Sequence, residues 1–317
     1  MINDSMKKII KVLLFSLLGL VILICILFGY TDRTIDDLQS KYATIPSQFV
    51  ALDGMNVHYR DEGDALDSLP IVLIHGTASS LHTFDTWASS LKKNKRVLRM
   101  DLPAFGLTGP FPDRNYSIDH YVNFLEDFLA VRGIKHCILA GNSLGGQIAW
   151  RFTLKKPAMV AKLILIDAAG YPKESTSEPI AFKMAKIPVI NKILSFITPR
   201  FVVKFSVENV YADKSKITES LIDRYFDLTL RAGNRQAFVD RMNVAYDTGY
   251  LKKINGIQQK TLVLWGEKDA LITTASAQRF HDDLPNDTLV ILKNSGHVPM
   301  EENPTESLRA VLSFIEQ

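Results

Sequence analysis

Ser143 lies in Gly141-Asn142-Ser143-Leu144-Gly145-Gly146, directly after the apolar run CILA (137–140) and before a segment of helical period. This is a G-x-S-x-G pattern in a strand–turn–helix context. Such a turn leaves no room for side chains two residues either side of the serine, and glycine at 141 and 145 meets that need. The turn lifts the hydroxyl clear of a sheet and sets it at a helix N-terminus, where free N–H groups stabilise developing negative charge. A serine hydroxyl is a weak nucleophile. It needs a base, and the base needs an orienting carboxylate.

The chain has seven histidines. His58 and His136 fall at strand positions, while His82, His120 and His281 lie in or beside helical segments, so these five read as surface or packing residues. His297 differs. It sits in Asn294-Ser295-Gly296-His297-Val298-Pro299, a loop just past the last apolar run, where residues from several parallel strands can converge. Glu267 and Asp269 both follow the run TLVLW (261–265) and are candidates for the carboxylate. An oxyanion needs two N–H donors, one just after the nucleophile and one from an earlier loop. Leu144 N–H is the first. Thr77 N–H is the second, since IVLI (71–74) runs into His75-Gly76-Thr77-Ala78 and Gly76 permits the sharp turn. His75 is read as packing or hydrogen bonding beneath that loop.

These residues must be positioned by strands. The hairpin signal Asp53-Gly54 joins two alternating segments, 49–54 and 55–63. Short, almost wholly apolar runs then recur at 71–74, 96–100, 137–140, 162–166, 261–265 and 288–292. Runs of this kind suit parallel strands buried on both faces. Helical period between them (118–131, 146–154) predicts an α/β fold, a mostly parallel doubly wound sheet behind a leading hairpin. The rhythm breaks across 171–259, which is too long for a crossover. That segment has helix-like stretches at 181–187, 218–232 and 236–247 and many aromatics, and it reads as an inserted helical cap.

His75-Gly76, Asp101-Leu102-Pro103-Ala104-Phe105-Gly106, the Ser143 elbow, Gly266-Glu267-Lys268-Asp269 and Gly296-His297 together resemble the α/β-hydrolase superfamily in order and spacing, across residues 48–317. The resemblance implies Ser143 as nucleophile, His297 as base and Asp269, rather than Glu267, as its partner. Ala104 departs from the glycine that the family often carries there. Serine at 143 separates the chain from haloalkane dehalogenases and epoxide hydrolases, which carry aspartate at the elbow. Val298 follows His297, as in many esterases and monoacylglycerol-type lipases, whereas C–C hydrolases of aromatic ring cleavage usually have tryptophan there. Proline iminopeptidases tend to carry tryptophan in the elbow and rank lower.

The remaining length is not hydrolase-like. Residues 12–30 carry no charge over 19 positions, which as a helix matches the ~30 Å hydrocarbon core. This exceeds a signal-peptide core of about 7–15 residues, and no A-x-A site follows. Lys7, Lys8 and Lys11 precede it, so the N-terminus is expected in the cytoplasm and the body on the far side, although Arg33 and Lys41 also flank that side. The expected organisation is tail and transmembrane anchor 1–30, polar stalk 31–47, core 48–170 and 260–317, and cap 171–259.

Net charge is +3, and setting aside Lys7, Lys8, Lys11 and Asp4 leaves 34 basic and 33 acidic residues in 31–317. That balance excludes a nucleic-acid partner, and 47% hydrophobic residues exclude a disordered chain. The two cysteines, Cys25 in the anchor and Cys137 in a strand, form no disulfide scaffold. No cofactor or metal is implied. The expected activity is a membrane-anchored carboxylesterase acting on small hydrophobic esters, with membrane lipid contacted through 12–30. C–C hydrolysis and a non-catalytic ligand receptor on the same fold are the alternatives. Oligomeric state is left open.

Overall fold

The computed structural model describes residues 4–172 and 174–317. Eight strands form one sheet: β1 (Ser47–Leu52), β2 (Met55–Glu62), β3 (Ile71–Ile74), β4 (Val97–Met100), β5 (Cys137–Asn142), β6 (Val160–Ile166), β7 (Lys260–Gly266) and β8 (Asp287–Leu292). Their spatial order is β1-β2-β4-β3-β5-β6-β7-β8. β1 and β2 pair antiparallel, β2 meets β4 antiparallel, and every later pairing is parallel. The β1–β2 turn has positive φ at both central residues, Asp53 (51°) and Gly54 (75°), the geometry that matches strand twist in a two-residue hairpin.

The apolar runs became strands because helices cover both faces of the sheet. In β3, Ile71 and Leu73 pack toward α3 (Asp85–Leu91) and α13 (Pro304–Ile315), while Val72 and Ile74 pack toward α4 (Ile118–Val131) and α5 (Leu144–Lys155). Period-two alternation thus serves two cores, and no polar face remains. Two further helices, α11 (Thr274–Asp283) and α12 (Pro299–Glu302), lie either side of β8 in sequence. Between β6 and β7 the chain runs through α6 (Ile180–Ala185), α7 (Ile190–Leu194), α8 (Arg200–Val210), α9 (Glu219–Thr229) and α10 (Asn234–Met242).

At the N-terminus, α1 (Asp4–Phe28) is 25 residues long and apolar enough to cross a membrane. The segment after it is not a loose spacer, contrary to the expected stalk. Residues Ile35–Tyr42 form α2, capped at Thr34, whose hydroxyl accepts from Asp37 N–H while Asp37 accepts from Thr34 N–H. Leu38 and Tyr42, one turn apart, bury against Leu107 and Leu228. Arg33, Lys41 and Tyr42 converge on the Asp227 carboxylate of α9 at 2.8, 2.9 and 2.7 Å. Ile35, Leu38 and Tyr42 among five polar residues make too short a sequence pattern to read as a docked helix.

The loop between β4 and α4 holds two non-glycine residues at positive φ, Ala104 and Arg114. Ala104 adopts φ of 85°, where a Cβ is disfavoured and glycine is at ease. Replacing Ala104 with Gly should therefore raise stability by about 1 kcal/mol, measured by thermal unfolding in detergent micelles. Asp227→Ala should act in the opposite sense, losing roughly 2 kcal/mol by stranding the Tyr42 hydroxyl and two cations. Asp227→Asn, which keeps an acceptor for Tyr42, should lose less.

Candidate active site

Ser143 stands between β5 and α5 with φ 54° and ψ −116°, a strained backbone for a residue with a side chain. Close approach enforces it. A Cβ on Gly141 would sit 2.2 Å from Gly145 O, and one on Gly145 would sit 2.2 Å from Ile74 O. Three backbone hydrogen bonds hold the strained residue: Ser143 N–H donates to Ile166 O, and Ser143 O accepts from Gln147 and Ala169 N–H, all at 3.0 Å. Asn142, buried beside it, donates through Nδ2 to Ile166 O (3.2 Å) and His297 O (3.0 Å). The elbow is thereby tied to the loop that follows β8.

On that loop His297 is buried, and its Nδ1 lies 2.7 Å from Asp269 Oδ2. Asp269 Oδ1 accepts from Leu271 N–H (2.8 Å) and Ile272 N–H (3.0 Å), which fixes the carboxylate toward the ring. Because Asp269 accepts a hydrogen bond from Nδ1–H, Nε2 is left as the basic nitrogen. Glu267 is exposed and takes no part. The His297 loop is pinned from two more sides: His297 N–H donates to Val210 O at the end of α8 (2.8 Å), and Gly296 N–H donates to buried Glu302 Oε2 (2.7 Å).

Ser143 and His297 line one cavity beneath α6–α10. They make no direct hydrogen bond to each other among the described residues; this contact commonly tightens only when substrate is bound. Thr77 also borders the cavity. Neither Thr77 N–H nor Leu144 N–H donates to a backbone carbonyl in the loops and caps among the described residues, so both amides are free to serve a ligand. His75 lies beneath this loop, its Nδ1 2.7 Å from Gly76 O and its Nε2 accepting from Leu102 N–H. Burial holds its pKa below the ordinary imidazole value.

The cavity walls are mostly apolar, with Phe182, Leu194, Val203, Val207, Phe238 and Leu271 among them. Among the described residues, Arg235 is the one Lys or Arg on the wall. Its guanidinium is spent elsewhere, on Asp32 (2.6 and 3.1 Å), Tyr30 O (2.8 Å) and Phe196 O (3.0 Å). The cap aromatics divide by role. Phe182, Tyr225 and Phe238 face the cavity, Tyr211 and Phe226 are buried, and Phe196, Phe201 and Phe205 point outward.

Asp167 was not foreseen. It is the first residue past β6, fully buried, with φ of 44°. Its side chain, that of Asp269 and that of His297 bring one donor atom each within 4.8 Å of one another. Asp167 Oδ1 accepts from Gly266 N–H (2.9 Å), but Oδ2 is buried with no partner. Burial and the adjacent Asp269 charge hold the Asp167 carboxyl well above its ordinary pKa. A protonated Oδ2 that donates toward Asp269 satisfies both groups. The sequence signal was its place directly after the run KLILI, at the carboxyl end of a strand.

The chain belongs to the alpha/beta hydrolase family, whose model matches residues 71–311. An uncharacterised hydrolase of Bacillus subtilis, YugF, is 29% identical over 281 residues, covering 86% of this chain and 99% of its own. A 2-hydroxy-6-oxo-6-(2'-aminophenyl)hexa-2,4-dienoic acid hydrolase of Metapseudomonas resinovorans is 25% identical over 279 residues, 84% of this chain and 90% of its own. Among solved structures, a bacterial membrane phospholipase A superposes with a TM-score of 0.73 at 22% identity, covering 98% of each chain.

If Asp167 is a neutral donor, asparagine copies it: one oxygen for Gly266 N–H and one N–H for Asp269. Asp167→Asn should keep turnover within about threefold of wild type, whereas Asp167→Ala should lose tenfold or more. Stability gives a second readout. An acid whose pKa is raised in the fold is unfavourable once pH exceeds its unfolded value of about 3.9. The Asn variant removes that loss, so its melting temperature should exceed that of wild type by more at pH 8 than at pH 5.

Proposed function

We propose that this chain is a membrane-tethered serine hydrolase that cleaves carboxylic esters of hydrophobic substrates through an acyl-enzyme. The observation that carries the reading is the apolar cavity over Ser143, whose one wall cation among the described residues is already committed to Asp32 and two carbonyls. A ring-cleavage dienoate bears a carboxylate, which needs a free cation or several free donors when desolvated. An acyl chain needs only apolar surface. Val298 after the base, the apolar helix α1, and a likeness to a membrane phospholipase A over 98% of the chain support the same choice.

In the proposed reaction, His297 Nε2 takes the Ser143 Oγ proton as Oγ attacks the ester carbonyl carbon. The Thr77 and Leu144 N–H groups hold the resulting oxyanion, and Asp269 holds the imidazolium that forms. The carbon–oxygen bond to the alcohol breaks, and the alcohol leaves with the proton from His297. Water then gives its proton to His297 and attacks the acyl carbon, releasing the acid and restoring Ser143 Oγ–H. The N-terminal tail is placed in the cytoplasm and residues 31–317 on the other side of the membrane, with α1 retained; an N-terminal sequence beginning after residue 28 in the mature protein would refute retention.

Ser143→Ala should lower kcat/KM for a short aryl ester by at least about a thousandfold while leaving the melting temperature unchanged. A fluorophosphonate probe should label the wild type and not this variant. Across esters of rising acyl length, kcat/KM should climb to medium or long chains, and a ring-cleavage dienoate should turn over at background rate. Faster turnover of the dienoate than of every ester would reverse the choice of substrate, and failure of the folded protein to label would remove the catalytic reading.

A further inference from the structure

The segment 179–207 is unlike a solvent-facing cap. It holds Lys183, Lys186, Lys192, Arg200 and Lys204 and no acidic residue. Val189, Ile193 and Phe196 follow one another at helical spacing and are 67%, 47% and 71% exposed. In α8 the two faces are both apolar. Val202, Val203, Ser206 and Val207 turn toward the cavity, while Phe201 and Phe205, one turn apart, are about half exposed. A water-facing helix keeps its outer face polar, and a contiguous exposed apolar patch marks an interaction surface.

The chain itself points to what covers this face. The Phe28 ring at the end of α1 meets Phe201 edge-on at 5.8 Å, and Phe201 meets Phe205 at 6.0 Å. Gly29 forms a β-bridge with Ile197, and Arg235 binds Tyr30 O and Phe196 O together. The patch therefore begins where the apolar helix ends, at the depth where a spanning helix meets the headgroups. Lys183 and Lys192 make no ion pair among the described residues, while Lys186, Arg200 and Lys204 pair with Glu178, Glu219 and Asp223. Exposed apolar side chains interleaved with basic ones are the composition of a surface that lies in an anionic membrane interface.

We infer that the outer face of α7 and α8 docks on the phospholipid leaflet at which α1 ends, through Val189, Ile193, Phe196, Phe201 and Phe205, with the neighbouring lysines meeting anionic headgroups. This rests on α1 being a membrane anchor. One layer of helix then separates lipid from the cavity over Ser143, so a lipid ester reaches the site from the bilayer without crossing water.

The test uses the full chain reconstituted in vesicles of phosphatidylcholine and phosphatidylglycerol. The native Trp87, Trp150 and Trp265 are buried, so an introduced tryptophan reports its own position. Phe196→Trp and Phe205→Trp should be quenched by acyl-brominated phosphatidylcholine about threefold more strongly than Leu66→Trp, which lies on an exposed loop between β2 and β3. Equal quenching at all three positions overturns the inference, as a second protein copy on this face would produce. The Phe196→Glu, Phe205→Glu double variant should hydrolyse a bilayer-embedded ester about tenfold more slowly while a soluble short ester is unaffected. Equal effects on both substrates would also overturn it. If wild-type protein cleaves neither ester, the esterase reading fails, whereas the quenching result still decides the docking.

Discussion

The strained backbone at Ser143 is the constraint on which the other parts depend. A positive φ at a residue with a side chain costs about 1–3 kcal/mol and survives only where its neighbours over-determine it. Here they do. β6 supplies Ile166 O and α5 supplies Gln147 N–H, while the chain just past β6 supplies Ala169 N–H. The same crowding that makes Gly141 and Gly145 obligatory brings β3, β5 and α5 into contact. Thr77 and Ser143 reach one cavity for this reason: both lie at chain segments that the elbow forces together. Asn142 extends the constraint to the third loop by donating to His297 O.

The cap is not an independent lid on this arrangement. His297 N–H bonds the last carbonyl of α8, and a Cβ on Gly296 would sit 2.5 Å from that same Val210 O. Buried Glu302 accepts from Gly296 N–H and from Asp213 N–H in the segment after α8. A displacement of α8 would therefore disturb the imidazole directly. Opening of the cavity for substrate is more readily accommodated at α6 and α7, which are short and make no such bond to the His297 loop, than at the C-terminal end of α8.

The sequence was most legible where one physical signal dominated. Apolar runs of four or five residues marked six strands because burial on both faces suppresses every competing pattern. Turn sterics and strand ends singled out the elbow and the His297 loop, while position left Glu267 and Asp269 both open and the family resemblance chose Asp269. The misses share a cause. No helix was anticipated at α8, because a helix apolar on two faces has no amphipathic period to detect. Residues 31–47 looked like a spacer because the docking of α2 rests on two side chains and three polar contacts to Asp227, a partner 185 or more residues away. Asp167 has no motif; its role comes from proximity to Asp269, 102 positions later, which only the parallel pairing of β6 with β7 creates.

Arg235 shows how far the N-terminal segment reaches into the cavity wall. It borders the cavity, where a free guanidinium would favour an anionic substrate. It is instead held by Asp32 and Tyr30 O on the segment leaving α1, and by Phe196 O on the outward patch. One residue thus joins the segment leaving α1, the outward patch and the cavity wall. Detaching the N-terminal segment would reach the cavity itself. It would return an unpaired cation to an apolar cavity, changing the charge that the cavity presents to a substrate. The near-neutral balance of the body conceals this arrangement, because the charges are paired locally: Arg200 and Lys204 with Glu219 and Asp223, Arg235 with Asp32, and Arg33 and Lys41 with Asp227.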